Sequence, residues 1–290
     1  MTFKELLIDW ILRAHTYDSH VITESVWGIM QLSGAEHTII GYIYGWINPL
    51  AIVLMVTYLM IGLVKQVSAG HELDTNTLVR MGISIIVADI LVANDGWIAS
   101  RALGIWNILG SDASDVMQAA MASYSEYTDE VMDKAILQQQ LTKGSLIMLC
   151  VYAVVALMSI VCALLASFAM WMVCYTAKAE FILRVAFAPV GFAGFADVDQ
   201  KEGARRYLKK LCASALYCMA IIVVVYVVSG LQHGAVVSII APHGVDDSGS
   251  YTDYNVITLL QQSVFQLIIP FASIGAVSMA KSAINEAFGV

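Results

Sequence analysis

Few residues in this chain are able to do chemistry, and their spacing excludes more than it offers. His71-Glu72 opens like a zinc-protease pair, but position 75 is Thr where the second histidine would stand. The other histidines, His15, His20, His37, His233 and His243, are scattered. Cys150, Cys162, Cys174, Cys212 and Cys218 lie inside apolar runs without CxxC or Cys/His ligand spacing, so buried small hydrophobes are expected rather than disulfides or zinc ligands. No phosphate-binding GxxxxGK[ST], no GxSxG elbow and no dinucleotide fingerprint is present. The sequence therefore predicts no catalytic residue, no metal and no cofactor, and any energy source must belong to a partner.

What remains is charge. Asp89 and Arg101 are ionisable groups inside apolar stretches. Each costs roughly 2.5–3.5 kcal/mol near a bilayer centre, so each is expected to face protein or water. A structural ion pair, an interfacial snorkel and a transport role explain them equally well. Further along, Lys201, Arg205 and Lys209 recur at i, i+4 and i+8, with Arg206 and Lys210 beside them, which puts a strongly cationic face on one helix. Such a face suits anionic lipid headgroups or the docking of a cytoplasmic partner. Nucleic-acid phosphates are a weaker match, because Tyr207 is the only aromatic residue near enough to stack on a base.

The elements that must position these charges are apolar helices. The chain has 290 residues, of which 59% are hydrophobic and 13% charged, with mean hydropathy +0.74. Soluble domains run nearer 45–50% apolar and about 25% charged, and several runs here exceed the roughly 18 residues of a bilayer span. The expected fold is an all-α polytopic membrane protein of about five transmembrane helices, with a re-entrant or in-plane half-helix and amphipathic N-terminal helices.

Residues 1–42 read as the amphipathic region, without the hydrophobic run and cleavage site of a signal peptide. In its first helix Thr2 and Glu5 have capping-box spacing, and Phe3, Leu6, Leu7, Trp10 and Ile11 follow the helical period. A second helix is expected around 19–33. Such helices lie in the membrane interface or pack on neighbouring helices. Residues 43–110 hold spans 1 and 2. Tyr42, Tyr44 and Trp46 form an aromatic belt at the start of the first, and Gly41 and Gly45 make a GxxxG. The second is broken near 94–96, where Asp95 is placed to cap a new half-helix. Residues 111–144 are polar, with Asp129 and Glu130 suited to a helix's first turn, Lys143 to its last and Gly144 to its stop.

Residues 145–290 form the core. A long span is expected over 145–176, a half-helix over 181–196, a basic cytoplasmic helix over 197–210, and further spans over 211–241 and 256–280. The half-helix is inferred from its length, about 24 Å if helical against a hydrocarbon core of about 30 Å. Pro189 removes a backbone donor and Gly191 and Gly194 loosen the chain. Such backbone survives at membrane depth only where protein or water covers it. Arg184 near its start is expected to be held by an acid or a headgroup. Cations crowd the 178–210 segment, while 111–144 and 242–255 are acidic, so the positive-inside rule predicts an outside N-terminus and a cytoplasmic C-terminus.

The segment "FILRVAFAPVGFAGFAD…GARRYLKKLCASALYCMAIIVVVYV" resembles the core of the TrbL family, polytopic inner-membrane subunits of type IV secretion and conjugation machines. Members carry an arginine-led apolar segment with a proline, a short cytoplasmic stretch, then an aromatic residue and lysine leading into a long span. Arg184, Pro189 and Tyr207-Leu208-Lys209 match those features here, and the likeness covers mainly 145–240. The resemblance implies a homo-oligomeric platform or channel in the cell membrane. It would work with other secretion subunits, including cytoplasmic ATPases, in moving single-stranded DNA with bound protein. Two readings from other classes stay open: a secondary transporter, whose broken helices and buried charges form a substrate site, and a purely structural membrane scaffold. No internal repeat supports the transporter.

Overall fold

The computed structural model describes residues 3–15, 26, 28–68, 75–93, 97–131, 142, 145–197, 200–240 and 256–289. Among them there is no strand, and nearly all are helical. In chain order the elements are α1 (Phe3–His15), α2 (Gly34–Ser68), α3 (Thr75–Ala93), α4 (Trp97–Val131), α5 (Leu146–Ala186), α6 (Ala188–Ala193), a 3-10 turn (Gly194–Ala196), α7 (Lys201–Ile240) and α8 (Val256–Phe288). Two helical segments are long and apolar enough to cross a membrane, Gly28–Ser68 and Lys201–Val228. There are three if Ser167–Ala186 and Ala188–Ala196, bent by 50°, count as one broken span. Large side chains such as Trp46, Val53, Leu183 and Val227 point outward from these helices, as lipid-facing surfaces require. The described residues are thus almost entirely helical, with two or three helices able to cross a membrane, consistent with a membrane protein.

The residues fall into two compact units. The first comprises Met1–Ile29, Ser111–Cys174 and Ala220–Ala280. In it α1 buries Ile8 and Ile11 against Leu149 at the start of α5, with Leu7, Trp10 and Tyr152 around them. The Lys4 ammonium donates to the Thr142 carbonyl at 2.7 Å. Of the stripe read from the sequence, Phe3 and Leu6 are exposed. The buried line runs one position round the helix, so α1 packs on a neighbouring helix through Ile8 and Ile11.

The second unit comprises Met30–Gly110, Tyr175–Met219 and Lys281–Val290. Its α2 is opened by a capping box of Ser33 and Glu36. The Ser33 amide donates to a Glu36 carboxylate oxygen at 2.7 Å, and the Glu36 amide reaches back to the Ser33 hydroxyl at 3.5 Å. Trp106 of α4 donates its indole N–H to the Met30 carbonyl at 2.8 Å and stacks on Phe181 of α5, ring centroids 4.3 Å apart. Asn107 accepts from the Leu32 amide at 3.1 Å. Against α2 and α3 lie α6 and the 3-10 turn, which pack on both.

Several expected boundaries need correction. The helix that contains the expected first span, α2, is longer than that span, running from Gly34 to Ser68 with Pro49 inside it. The polar 111–144 region is helical through Val131, because α4 runs on into it from Trp97, and Asp129 and Glu130 fall in its last turn, not a first. Lys143, Gly144, Thr2 and most of 19–33 lie outside the described residues. The long helix does not stop at Thr176 but continues to Ala186, so Phe181–Ala186 belong to α5, and the half-helix is only 188–196. Nothing before Pro189 breaks the helix, and the polar Lys178 and Glu180 each find partners. The basic stretch is likewise no separate helix: it is the first ten residues of α7, which starts at Lys201. A Cβ at Gly41 or Gly45 would meet nothing within 4 Å, so their spacing serves no close contact among the described residues. Cys174 and Cys218 are buried as expected, but Cys150 and Cys212 are exposed.

Candidate functional site: an elbow and a cationic helix start

The elbow grows from Pro189. Phe187, with φ −90° and ψ 5°, separates α5 from α6 without a side-chain cap, and the proline sits in the first turn of α6, where a missing N–H costs least. Pro189 has no N–H to donate to Val185, yet the backbone bonds around it persist: Phe187 donates to Leu183 at 3.0 Å and Gly191 to Phe187 at 3.3 Å. The apolar residues Ala188, Pro189, Phe192, Ala193 and Ala196 are all buried. This short helix is thus covered by protein on its apolar side.

Tyr207 of α7 clamps the elbow. Its hydroxyl donates to the Arg184 carbonyl at the end of α5, and its ring meets Phe192 edge-on, centroids 5.9 Å apart. The ring lies directly on Gly191: a Cβ there would fall 2.5 Å from two ring carbons. Gly191 is needed for that approach. Gly194 is different, since a Cβ there would make only ordinary contacts of 3.5–3.6 Å with Gln200 and Ala204. The buried Asp197 closes the 3-10 turn, and a Cβ on Gly62 of α2 would meet its carboxylate at 3.3 Å.

Two charge clusters brace the joint. Arg184 is held by an acid, as expected: Glu180, one turn earlier, accepts from its guanidinium and also from Lys281 of α8 at 2.7 Å. Arg184 further donates to the Lys210 carbonyl at 2.9 Å, and Lys281 lies 5.5 Å from the centre of the Tyr217 ring. One carboxylate so ties two cations from α5 and α8, and Arg184 ties α5 to α7. In the other cluster the buried Lys178 meets Glu36 at 2.6 Å and the Gln31 carbonyl at 2.8 Å, fixing the start of α2 to α5.

The cations of α7 face outward from this joint. Arg205, Arg206, Lys209 and Lys210 are exposed, Lys201 is half-buried, and a depression is lined by Glu202, the four exposed cations and Gly289. The Arg206–Glu202 pair is 3.6 Å apart with side chains 70% and 80% exposed, so it contributes little. The positive end of the α7 macrodipole adds to the same field.

Of the residues singled out in the sequence, the structure joins Arg184, Pro189, Gly191 and the helix bearing Lys201, Arg205, Arg206, Lys209 and Lys210. Asp89 and Arg101 do not join them; both are exposed on α3 and α4. Asp95 lies outside the described residues. The sequence reading missed Glu36, Lys178, Glu180, Asp197 and Lys281. The S-x-x-E spacing of Ser33 and Glu36 and the i,i+4 spacing of Glu180 and Arg184 were visible signals; the reach of Lys281 to Glu180 was not. Among the described residues no group of three or more His, Cys, Asp or Glu side chains is placed to hold a metal ion. Comparison with protein-family profiles, with curated proteins and with solved structures finds no match.

Proposed function

We propose that this chain is a TrbL-like membrane subunit of a conjugative type IV secretion machine. In this reading it is a five-span homo-oligomeric platform or channel, outside at its N-terminus and cytoplasmic at its C-terminus. It helps move single-stranded DNA with bound protein, driven by separate cytoplasmic ATPases. The observation that carries the reading is the joint itself. Of the residues that carry the resemblance, Arg184 and Tyr207 are 23 positions apart yet meet at the elbow where Pro189 stands, through the Tyr207–Arg184 hydrogen bond and the ring seated on Gly191. A motif whose members brace one another is better explained as a functional unit than as a chance run of apolar residues. The lipid-facing apolar surface supports the membrane setting, and the outward cations support a cytoplasmic end.

The test is purification from native membranes in mild detergent after cross-linking. An assembly of several copies that retains an ATP-hydrolysing subunit is expected; a monomer that brings down no other secretion component contradicts the reading. One observation favours the transporter as a second reading: Asp197, a carboxylate 3% exposed at the end of a broken helix, is the kind of group that binds a coupling ion. Substrate uptake by reconstituted vesicles, abolished in Asp197→Asn, would favour it.

A further inference from the structure

We propose that the depression between the start of α7 and the end of α8 is a binding site for the headgroup of an anionic phospholipid. This is independent of the conjugation reading. Three of its cations, Arg205, Lys209 and Lys210, make no ion pair among the described residues, and Arg206 has only its long contact with Glu202. Four exposed cations against one carboxylate give this wall a positive field that attracts an anion. The opposite wall is Gly289, at φ 62°, where a Cβ would stand 3.8 Å from the Lys209 ammonium. The last turn of α8 therefore brings bare backbone close to the cations, leaving room for a ligand oxygen.

Position selects a lipid. The helix that carries the cations turns apolar directly after Lys210, at Leu211, and runs on as a candidate span to Val228. Leu208 is 41% exposed and Cys212 is exposed, on the turns flanking Lys209 and Lys210. Cations interleaved with exposed apolar side chains at the foot of a span match a phosphate at headgroup level above an acyl chain. Nucleic acid fits less well. Single-stranded DNA sites add aromatic stacking to their cations, and the one aromatic residue of this stretch, Tyr207, has its hydroxyl on the Arg184 carbonyl and its ring on Gly191 and Phe192. It is not available to a base.

The full chain, purified in neutral detergent, is titrated with fluorescent short-chain phosphatidylglycerol and with the matching phosphatidylcholine. Wild type is expected to prefer the anionic lipid, and increasingly so as salt is lowered. Each cation near a membrane surface is worth about fivefold in affinity, so Arg205→Gln/Lys209→Gln/Lys210→Gln should weaken phosphatidylglycerol binding by about a hundredfold. Lys209→Arg/Lys210→Arg should keep it, and Arg80→Gln, on another exposed part of the unit, should not alter it. Size-exclusion profiles and helix content establish that the variants are folded. Equal affinity for the two lipids, or a triple variant that binds as wild type, overturns the proposal. So does competition by free glycerol phosphate as strong as by the lipid, which assigns the site to soluble phosphates. Tighter binding of a fluorescent oligothymidylate than of the lipid at the same salt overturns it in favour of DNA.

Discussion

Replacing Gly191 by alanine is the sharpest probe of the elbow. The added Cβ would lie 2.5 Å from Cγ and Cδ1 of Tyr207 and 2.7 Å from Cε1, whereas carbon atoms pack at about 3.5–4.0 Å. The ring must withdraw by about 1 Å. It is not free to do so, because its hydroxyl is bonded to the Arg184 carbonyl and its ring packs in a T-shaped pair with Phe192. Overpacking costs about 1–3 kcal/mol, and loss of the hydroxyl bond adds about 1 kcal/mol. A total of ~2–4 kcal/mol corresponds to a midpoint lowered by at least ~4 °C, at ~2–4 °C per kcal/mol for chains of 150–250 residues. The assay is thermal unfolding in detergent, followed by the reactivity of the buried thiols Cys174 and Cys218 in a background lacking the other three cysteines, Cys150, Cys162 and Cys212. Tyr207→Phe should lose only the hydrogen bond, ~1 kcal/mol. In a Tyr207→Ala background Gly191→Ala should be harmless or slightly stabilising, because alanine is the better helix former by about 1 kcal/mol. A wild-type midpoint for Gly191→Ala, or an effect that persists unchanged without the ring, refutes the packing argument.

Glu180→Gln should destabilise by about 1–2 kcal/mol, since a half-exposed carboxylate that serves two cations is lost; Lys281→Met, whose ammonium is the more exposed partner, should cost less, and the same thermal assay orders the two. Lys178→Met should cost about 2–3 kcal/mol, below the 3–5 kcal/mol of a fully buried broken pair because Glu36 is 27% exposed. Adding Glu36→Gln should recover part of that loss, as a glutamine still closes the capping box on Ser33, and failure to recover any would show that the pair is not coupled. For orientation, Ser125→Cys and Ser248→Cys are expected to react with an impermeant thiol reagent in whole cells, and Gln200→Cys to stay silent; the reverse pattern would invert the topology.

The helical membrane class was legible because hydrophobicity is additive along the chain and needs no tertiary information. So was a broken segment around Pro189, since a missing donor acts locally. Its edges were misplaced for a tertiary reason. Lys178 and Glu180 look like residues that end a span, but Glu36 and Lys281 satisfy them and allow α5 to continue to Ala186. The cationic face was readable from i, i+4 spacing. The role of Tyr207 was not, because nothing in "RRYLKK" reveals that its ring will meet a glycine sixteen positions earlier. Gly191 and Gly194 look alike in sequence, and only the position of that ring separates them. Asp89 and Arg101 stood out by charge alone, and charge does not tell which side chains a fold will gather.

The central claim, that this chain serves DNA transfer, is tested most directly by a mating assay. The cells that carry the gene are deleted for it in frame and complemented with wild type or with Gly191→Ala/Tyr207→Phe, with membrane abundance measured in each strain. The account predicts that transfer of a mobilisable plasmid falls to the detection floor in the deletion, returns with wild type, and returns only in part with an elbow variant present at normal abundance. Transfer at the wild-type frequency in the deletion strain would contradict it.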